Sequence, residues 1–296
     1  MRLKLLYKVK ELWASLFAAK AVEEAPLFIA IVFKNEAPFL KEWLDFHLAQ
    51  GVKQFYLANN FSDDNYAEVL EPYILAGQVY LHNTQSSSMN TRIQALELNR
   101  LLEVIALAEG KNAWVAILDV DEFLFNPEGK KIRSILGAFQ GEKIAAVFVN
   151  WLMFGDSNLA KLRPNKSMLS QLTWRAHASL GEHKMGKPIL YLANSFGFLE
   201  GPHLPFRRGA SKIVYADGSD YSPQNPQIKH DTLRINHYWY RSQEYYDGEK
   251  RRKRLAFGDE RSGKREADHI KACNYEEDYS IQTLKTWAFN FRSNSR

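Results

Sequence analysis

The run Leu27-Phe28-Ile29-Ala30-Ile31-Val32-Phe33 is apolar without a break, the pattern of a strand covered on both faces. It stops at Lys34-Asn35-Glu36. Pro38 suits the first turn of a helix in which Leu40, Trp43, Leu44, His47 and Leu48 share one face, and Gly51 ends it. Gln54 to Ala58 reads as a second strand, with Asn59 to Asp64 as the polar loop at its end. Tyr66 to Leu75 has helical spacing despite Pro72, Gln78 to His82 reads as a third strand, and Thr91 to Ala108 as a long helix closed by Gly110. The apolar run from Trp114 then meets three acids in Asp119-Val120-Asp121-Glu122. Strands and helices in this alternation predict an α/β fold, a Rossmann-like, mostly parallel mixed sheet flanked by helices. Ligands of such sheets sit outside the carboxyl ends of the strands. The Lys34 to Glu36 corner, the Asn60 to Asp64 loop and the acidic cluster therefore gather at one edge.

The flanks read differently. Over the first twenty residues Arg2, Lys4, Lys8, Lys10 and Lys20 face one acid, Glu11, while Leu5, Val9, Leu12, Trp13, Leu16 and Phe17 recur at helical spacing. Residues 1–25 are thus expected to form a basic amphipathic helix, either anchored on an anionic membrane surface or docked on its own domain. No run approaches the roughly 18 to 20 apolar residues of a membrane span, and no signal-peptide pattern is present. The break at Val22 to Pro26 makes 26–296 a single domain, whose end, 241–296, reads as a basic helical tail containing Lys250 to Arg254.

Composition excludes little beyond disorder, with 46% hydrophobic and 25% charged residues. One cysteine, Cys273, leaves no internal disulfide and no thiolate metal centre, so any metal is held by oxygen or imidazole and the expected location is cytoplasmic. A net charge of +5 suits phosphate-bearing substrates, an anionic membrane or nucleic acid. Nucleic acid is not expected, because the chain carries no helix-turn-helix, zinc or ribonucleoprotein signature and its aromatics are not interleaved with the basic run. Asp119 and Asp121, one residue apart at a strand end, are placed to aim hard oxygen ligands at a divalent cation; the alternative is an acidic surface turn.

Several ordered blocks resemble glycosyltransferase family 92 and related family-2-like enzymes of the GT-A fold. They are Lys34-Asn35-Glu36, Glu42-Trp43-Leu44 with His47 and Gly51-Val52, Asn60 to Asp64, Asp119-Val120-Asp121-Glu122-Phe123 as an extended DxD motif, Trp151 to Gly155, Lys184 to Ile189, His203, and Asn236-His237-Tyr238 with Arg241-Ser242, Glu244-Tyr245 and Lys250. The resemblance runs from Leu27 to Ile281. It implies transfer of a sugar from a nucleotide-diphosphate donor, a UDP-sugar by preference, to a hydroxyl of a glycan or lipid-linked acceptor, in surface polysaccharide or lipopolysaccharide synthesis. Residues 26–125 would then bind the donor and 126–240 the acceptor.

The resemblance also implies roles. Asp119 meets the ribose or metal, Asp121 binds Mn²⁺ or Mg²⁺, and His237 is the third ligand to metal or diphosphate. Such an ion offsets the negative charge that develops on the leaving diphosphate. Lys34, Glu36, Asn60, Asp63, Arg92, Gln94, His203 and Lys250 are the candidate donor-binding residues. Asn59 stands where many relatives carry an aspartate, which weakens base recognition through that loop. An inverting transfer needs a general base, for which Asp156 and Glu182 are candidates. Glu122 is a third catalytic candidate that reaches the sugar or a partner of the metal ligands; the alternative is a surface or helix-capping acid. Two rival readings are a nucleotidyltransferase, which favours a glycine-rich loop after the first strand where Phe33-Lys34-Asn35-Glu36 has none, and a non-catalytic membrane or glycan-binding module.

Overall fold

The computed structural model describes residues 24–86, 90–252 and 263–284. The amphipathic helix expected over 1–25, save Glu24 and Ala25, and the basic residues 253–262 lie outside the described residues. Strands β1 (Leu27–Phe33), β2 (Gln54–Asn59), β3 (Val79–Asn83) and β4 (Trp114–Ile117) alternate with helices α1 (Ala37–Ala49), α2 (Tyr66–Leu75) and α3 (Thr91–Glu109). The strands pair in parallel in the order β3-β2-β1-β4. β1 shows why an unbroken apolar run is needed here. Leu27, Ile29, Ile31 and Phe33 pack into the cluster under α1, while Phe28 and Ala30 enter the cluster under α3. Each large aliphatic side chain so buried contributes about 1.5–3 kcal/mol relative to exposure.

The sheet continues without interruption into the second half of the chain. β4 pairs antiparallel with β8 (Gly186–Tyr191), β8 antiparallel with the ten-residue β6 (Ile144–Met153), and β6 parallel with both β9 (Lys212–Tyr215) and β10 (Arg234–His237). β5 (Glu122–Phe125) closes the edge, antiparallel to β10. Short helices α4 (Ile132–Gly137) and α5 (Met168–Gln171), strand β7 (Trp174–Arg175), and helix α6 (Gln243–Tyr245), which runs on as a π-helical turn over Tyr246–Lys250, complete this half. Helix α7 (Gly263–Cys273) and strand β11 (Glu276–Glu277), paired with β7, bring the chain back onto it. Among the described residues no helix is long and apolar enough to cross a membrane.

The apolar residues on either side of the acidic cluster belong to two strands. The run from Trp114 does not deliver the acids as one continuous strand: β4 ends at Ile117, and the chain turns through Asp119 to Asp121 before β5 begins at Glu122. Among the described residues β5 has a single strand partner, and α1 satisfies part of its other edge. The Trp43 indole donates to the Glu122 carbonyl at 2.9 Å, and the Leu124 amide donates to His47 Nε2 at 3.2 Å. His47 Nδ1 donates to the Trp43 carbonyl at 2.9 Å, so this ring works as a neutral imidazole, and burial lowers its pKa from 6.5 to about 3. The glutamate-tryptophan-leucine block with its following histidine thus clamps the acidic strand to α1.

That clamp carries a pH dependence. The unfolded His47 binds its proton near pH 6.5 and the folded one only near 3, so its contribution is complete above 6.5 and lost as pH falls toward 3. Between pH 6.5 and 5 this group alone should remove about 2 kcal/mol of stability. His47→Gln, which keeps a donor and an acceptor without a titration, should flatten that part of the stability profile in urea unfolding series. An unchanged slope would mean that His47 is not the group responsible.

Candidate active site

The topology collects the polar residues at one edge. β1, β2, β4, β6 and β10 run the same way, so Glu36, Asn60, Asp119, Asp156 and His237 fall at or just beyond their carboxyl ends. β5 and β8 run oppositely, which sets Glu122 and Lys187 at the same edge from their amino ends.

The acidic turn is closed by its own residues. The Glu122 amide donates to the Asp119 carbonyl at 3.0 Å, and the Asp119 amide donates back to Glu122 Oε2 at 2.9 Å. Lys187 Nζ lies 2.6 Å from Asp119 Oδ2 and 3.4 Å from Glu122 Oε2. Burial pushes the Glu122 carboxyl up to about 8, with Lys187 opposing the rise. Burial works against the Lys187 ammonium too, but Asp119 and Glu122 outweigh it and hold the pKa above its ordinary value. Glu122 is fully buried, and its Oε2 braces the turn from within.

Asp121 has separate partners. Lys250 Nζ lies 2.5 Å from its Oδ2, and His237 Nε2 lies 3.5 Å from its Oδ1. Burial would raise this carboxyl, yet Lys250, His237 and Arg241 together hold it well below the usual carboxylate range. The Lys250 ammonium also sits 3.6 Å above the Trp239 ring, a cation–π contact. The His237 ring lies tilted against Trp151 with ring centres 4.6 Å apart, and beyond its 3.5 Å approach to Asp121 neither ring nitrogen has a hydrogen-bond partner among the described residues. Burial lowers its pKa, so the ring is neutral with an electron pair to offer. Among the described residues no three His, Cys, Asp or Glu side chains form a ready metal centre. The two aspartates are instead each paired with a lysine.

A second tie joins the chain's later part to the first strand. Arg241 Nη1 lies 2.7 Å from Glu36 Oε2, its guanidinium packs 3.7 Å from the Phe39 ring centre, and the Tyr245 hydroxyl donates to Glu36 Oε1 at 3.3 Å. Beside this tie is a cleft of about 910 Å³, lined among others by Asn35, Phe39, Asp63, Tyr245, Glu249 and Arg252. Asp119 and Asp121 do not line it. Asn35, at φ 52°, accepts from the Asp63 amide at 2.9 Å and so joins the loops after β1 and β2. Lys34 is half-buried beside it. Asn60 donates to Thr84 Oγ1 at 2.9 Å and to the Ser86 carbonyl at 2.6 Å, while its Oδ1 is buried without a partner.

The remaining candidates divide. His203 donates from Nδ1 to the Gly186 carbonyl at 2.9 Å, and both burial and Lys187 lower its pKa, so it belongs with the Asp119 group. Asp156 is buried and engaged elsewhere: its Oδ1 accepts from the Asn158 amide at 2.9 Å and from the Asn274 side chain at 2.7 Å. Glu182 lies 3.4 Å from His269 Nε2. Neither carboxylate is brought to the acidic turn by a hydrogen bond or ion pair, because each is held by the segment returning through α7. Arg92 and Gln94 lie in the first turn of α3, with Arg92 exposed and Asn90 serving as the cap. Sequence reading did not single out Lys187 or Arg241 as site residues. A lysine inside the apolar strand Gly186-Lys187-Pro188-Ile189-Leu190-Tyr191 was the available signal, since such a group is buried only with a partner.

A Rossmann-like mixed sheet with acids, a neutral histidine and cations converging on its carboxyl edge defines an α/β protein with a candidate ligand site there. The glycosyltransferase family 92 profile matches residues 29–192, more than half of the chain, and the chain belongs to that family. It is 26% identical over 220 residues to a family 92 protein of Ricinus communis, covering 74% of this chain and 36% of that protein. A family 92 protein of Oryza sativa subsp. japonica is 24% identical over 225 residues, covering 74% and 34%. The chain thus spans about a third of the length of the curated relatives it matches. Among solved structures, S. aureus TarS 1-349 is similar over 92% of this chain and 73% of that one, at 14% identity and a TM-score of 0.39. Glucosyl-3-phosphoglycerate synthase from Mycobacterium tuberculosis, solved with Mn²⁺, UDP and glucosyl-3-phosphoglycerate, covers 44% and 46% at 18% identity and a TM-score of 0.27. Overlaps this loose place no residue of the site.

Proposed function

We propose that this chain transfers a sugar from a nucleotide-diphosphate donor to a hydroxyl of a glycan or lipid-linked acceptor, with a divalent cation, in surface polysaccharide or lipopolysaccharide synthesis. One observation carries the reading: Asp119, Asp121, His237, Lys187 and Lys250 converge at the carboxyl edge of a family 92 sheet. Asp121 and His237 fit a cation such as Mn²⁺. Their donor atoms are 3.5 Å apart, one a carboxylate oxygen and one an imidazole nitrogen, and beyond this approach the ring has no hydrogen-bond partner among the described residues that binding would break. When bound, the ion stabilises the negative charge of the departing diphosphate.

The chain's own residues do the rest. Lys187 fixes Asp119 and the turn, while Trp43 and His47 fix the strand behind it. Lys250 neutralises Asp121 before substrate arrives, and once displaced its ammonium stands beside the diphosphate as a point charge. The reading includes inversion at the anomeric carbon, with a carboxylate as general base.

The decisive experiment offers a panel of nucleotide sugars with and without Mn²⁺ and follows the nucleotide product. A nucleoside diphosphate supports sugar transfer, whereas pyrophosphate release would favour a nucleotidyltransferase, and no Mn²⁺-dependent turnover of any donor would sink the enzyme reading. Lys250→Met separates two effects. Mn²⁺ affinity, read by electron paramagnetic resonance, should rise several-fold because the competing ammonium is gone, while turnover at saturating Mn²⁺ should fall about tenfold with the lost diphosphate contact. Unchanged Mn²⁺ affinity would remove Lys250 from the cation position.

A further inference from the structure

We infer that the loop from Ser195 to Arg208 is a docking surface for an anionic lipid bilayer, set beside the candidate active site. Phe196, Leu199, Leu204 and Phe206 are 51%, 70%, 45% and 41% exposed, four large apolar side chains within eleven residues. Single exposed apolar residues are ordinary on a soluble protein; a contiguous group is not. Phe196 and Phe206 stack on each other with ring centres 5.2 Å apart and planes inclined by 11°, so two aromatic faces form one surface.

The exposure is built in by the loop's anchors. The Phe206 amide donates to the Gly197 carbonyl at 2.7 Å and the Arg208 amide to the Asn194 carbonyl at 2.8 Å, which closes the loop at its base. Asn99 on α3 both donates to the Phe198 carbonyl and accepts from its amide, and Phe198 itself is buried under α3. Gly197, at φ 107°, has no room for a side chain, since a Cβ there would stand 2.3 Å from the Asn99 oxygen. The Gly201 amide donates to the Thr91 carbonyl, and His203 donates to Gly186. Gly197, Phe198, Gly201 and His203 are thus pinned inward while the four apolar residues are held outward. A loop able to collapse would bury them.

Charge selects the partner. Arg207 and Arg208 follow the apolar residues directly and are both exposed, against one exposed acid within the loop, Glu200, and the exposed Arg92 lies next to Thr91 where the loop is tied to α3. The Arg208 guanidinium packs 5.2 Å from the Phe196 ring centre, at the rim of the aromatic pair. Aromatic side chains at the centre with arginines around them match the interface of an anionic leaflet, where rings enter the headgroup layer and guanidinium groups meet phosphate. Because His203 belongs to the same loop and reaches the Lys187 neighbourhood, a bilayer held here would lie against the site's own flank. The inference concerns where the chain works and does not depend on sugar transfer.

The test uses the full chain with vesicles of phosphatidylcholine alone or mixed with phosphatidylglycerol. Phe196→Ser combined with Phe206→Ser should lower partition onto the mixed vesicles about tenfold, and Arg207→Ser combined with Arg208→Ser should lower it several-fold, with melting temperatures unchanged. A direct reading comes from Phe206→Cys carrying an environment-sensitive fluorophore, a clean site because the native thiol, Cys273, is buried. Its emission should brighten and shift to the blue on mixed vesicles and stay unchanged on phosphatidylcholine alone. A label indifferent to mixed vesicles overturns the inference, as does a label that responds to protein concentration without lipid, which would assign the surface to a second copy of the chain.

Discussion

Asp121→Asn should reduce turnover of the preferred donor by about a thousandfold while leaving the fold intact. The side chain keeps its shape, and the turn does not depend on the carboxylate, since it is the Asp121 backbone carbonyl that accepts from the Tyr238 amide at 2.8 Å. What disappears is the charge that Lys250, His237 and Arg241 hold ionised at every working pH. Lys250 loses its partner but is carried on the π-helical turn and can leave for water, so the stability cost should stay small. Initial rates of nucleoside diphosphate release, Mn²⁺ binding and thermal melting would be compared with the parent chain. Turnover within tenfold of the parent would remove Asp121 from the catalytic machinery.

Lys187→Met should have the opposite profile, with a large loss of stability. This lysine is 2% exposed within β8 and the Glu122 side chain is fully buried, so Glu122 would lose its cation away from solvent, whereas Asp119 is 38% exposed. Removing one member of a buried ion pair costs about 3–5 kcal/mol. The low end, about 3 kcal/mol, is expected here because Asp119 keeps contact with solvent and Glu122, pushed up to about 8, is readily neutralised by a proton. Adding Glu122→Gln should restore about half of the loss, and the double-mutant cycle should show coupling above about 1 kcal/mol. Chemical denaturation of the four proteins measures both. Independent, additive losses would show that Lys187 and Glu122 do not act as a pair.

The two expectations differ because the acidic cluster has two halves, a division only partly legible in the chain. The strand-helix alternation from Leu27 to Trp114 was readable because each run has one period and one role, and the observed β1 to β4 follow it within a residue or two. The acidic turn was readable as a place, since the end of a buried strand carries three acids. The separate strand that follows the turn was not legible, because Phe123-Leu124-Phe125 is as apolar as the residues before Asp119 and nothing local marks the return in direction. Glu122 illustrates the same limit. Its neighbours in sequence are acids, which suggests exposure, while its neighbours in space are Lys187 and the underside of the turn.

Asp156 and Glu182 show where local reading ran out. Each is a carboxylate near an aromatic or basic block, the pattern of a general base, yet Asn274 and His269 hold them from a segment about ninety to 120 residues further on. Side chains that far away contribute no periodic signal. Arg241 is the converse: an arginine in a tyrosine-rich stretch gives no hint that it crosses the molecule to Glu36 at the end of β1.

By itself the sequence determined the order of strands and helices from Leu27 to Ile117, the strand-end position of the acids, and the family resemblance that the profile match over 29–192 establishes. Apolar periodicity and the local geometry of turns suffice for these, since they act over a few residues. Only the tertiary structure decided which charges meet. Lys187 from β8 pairs with Asp119, Lys250 from the π-helical turn pairs with Asp121, and Arg241 pairs with Glu36. Ion pairs between distant segments are set by how strands align across a sheet, and that alignment is fixed by packing of the whole core.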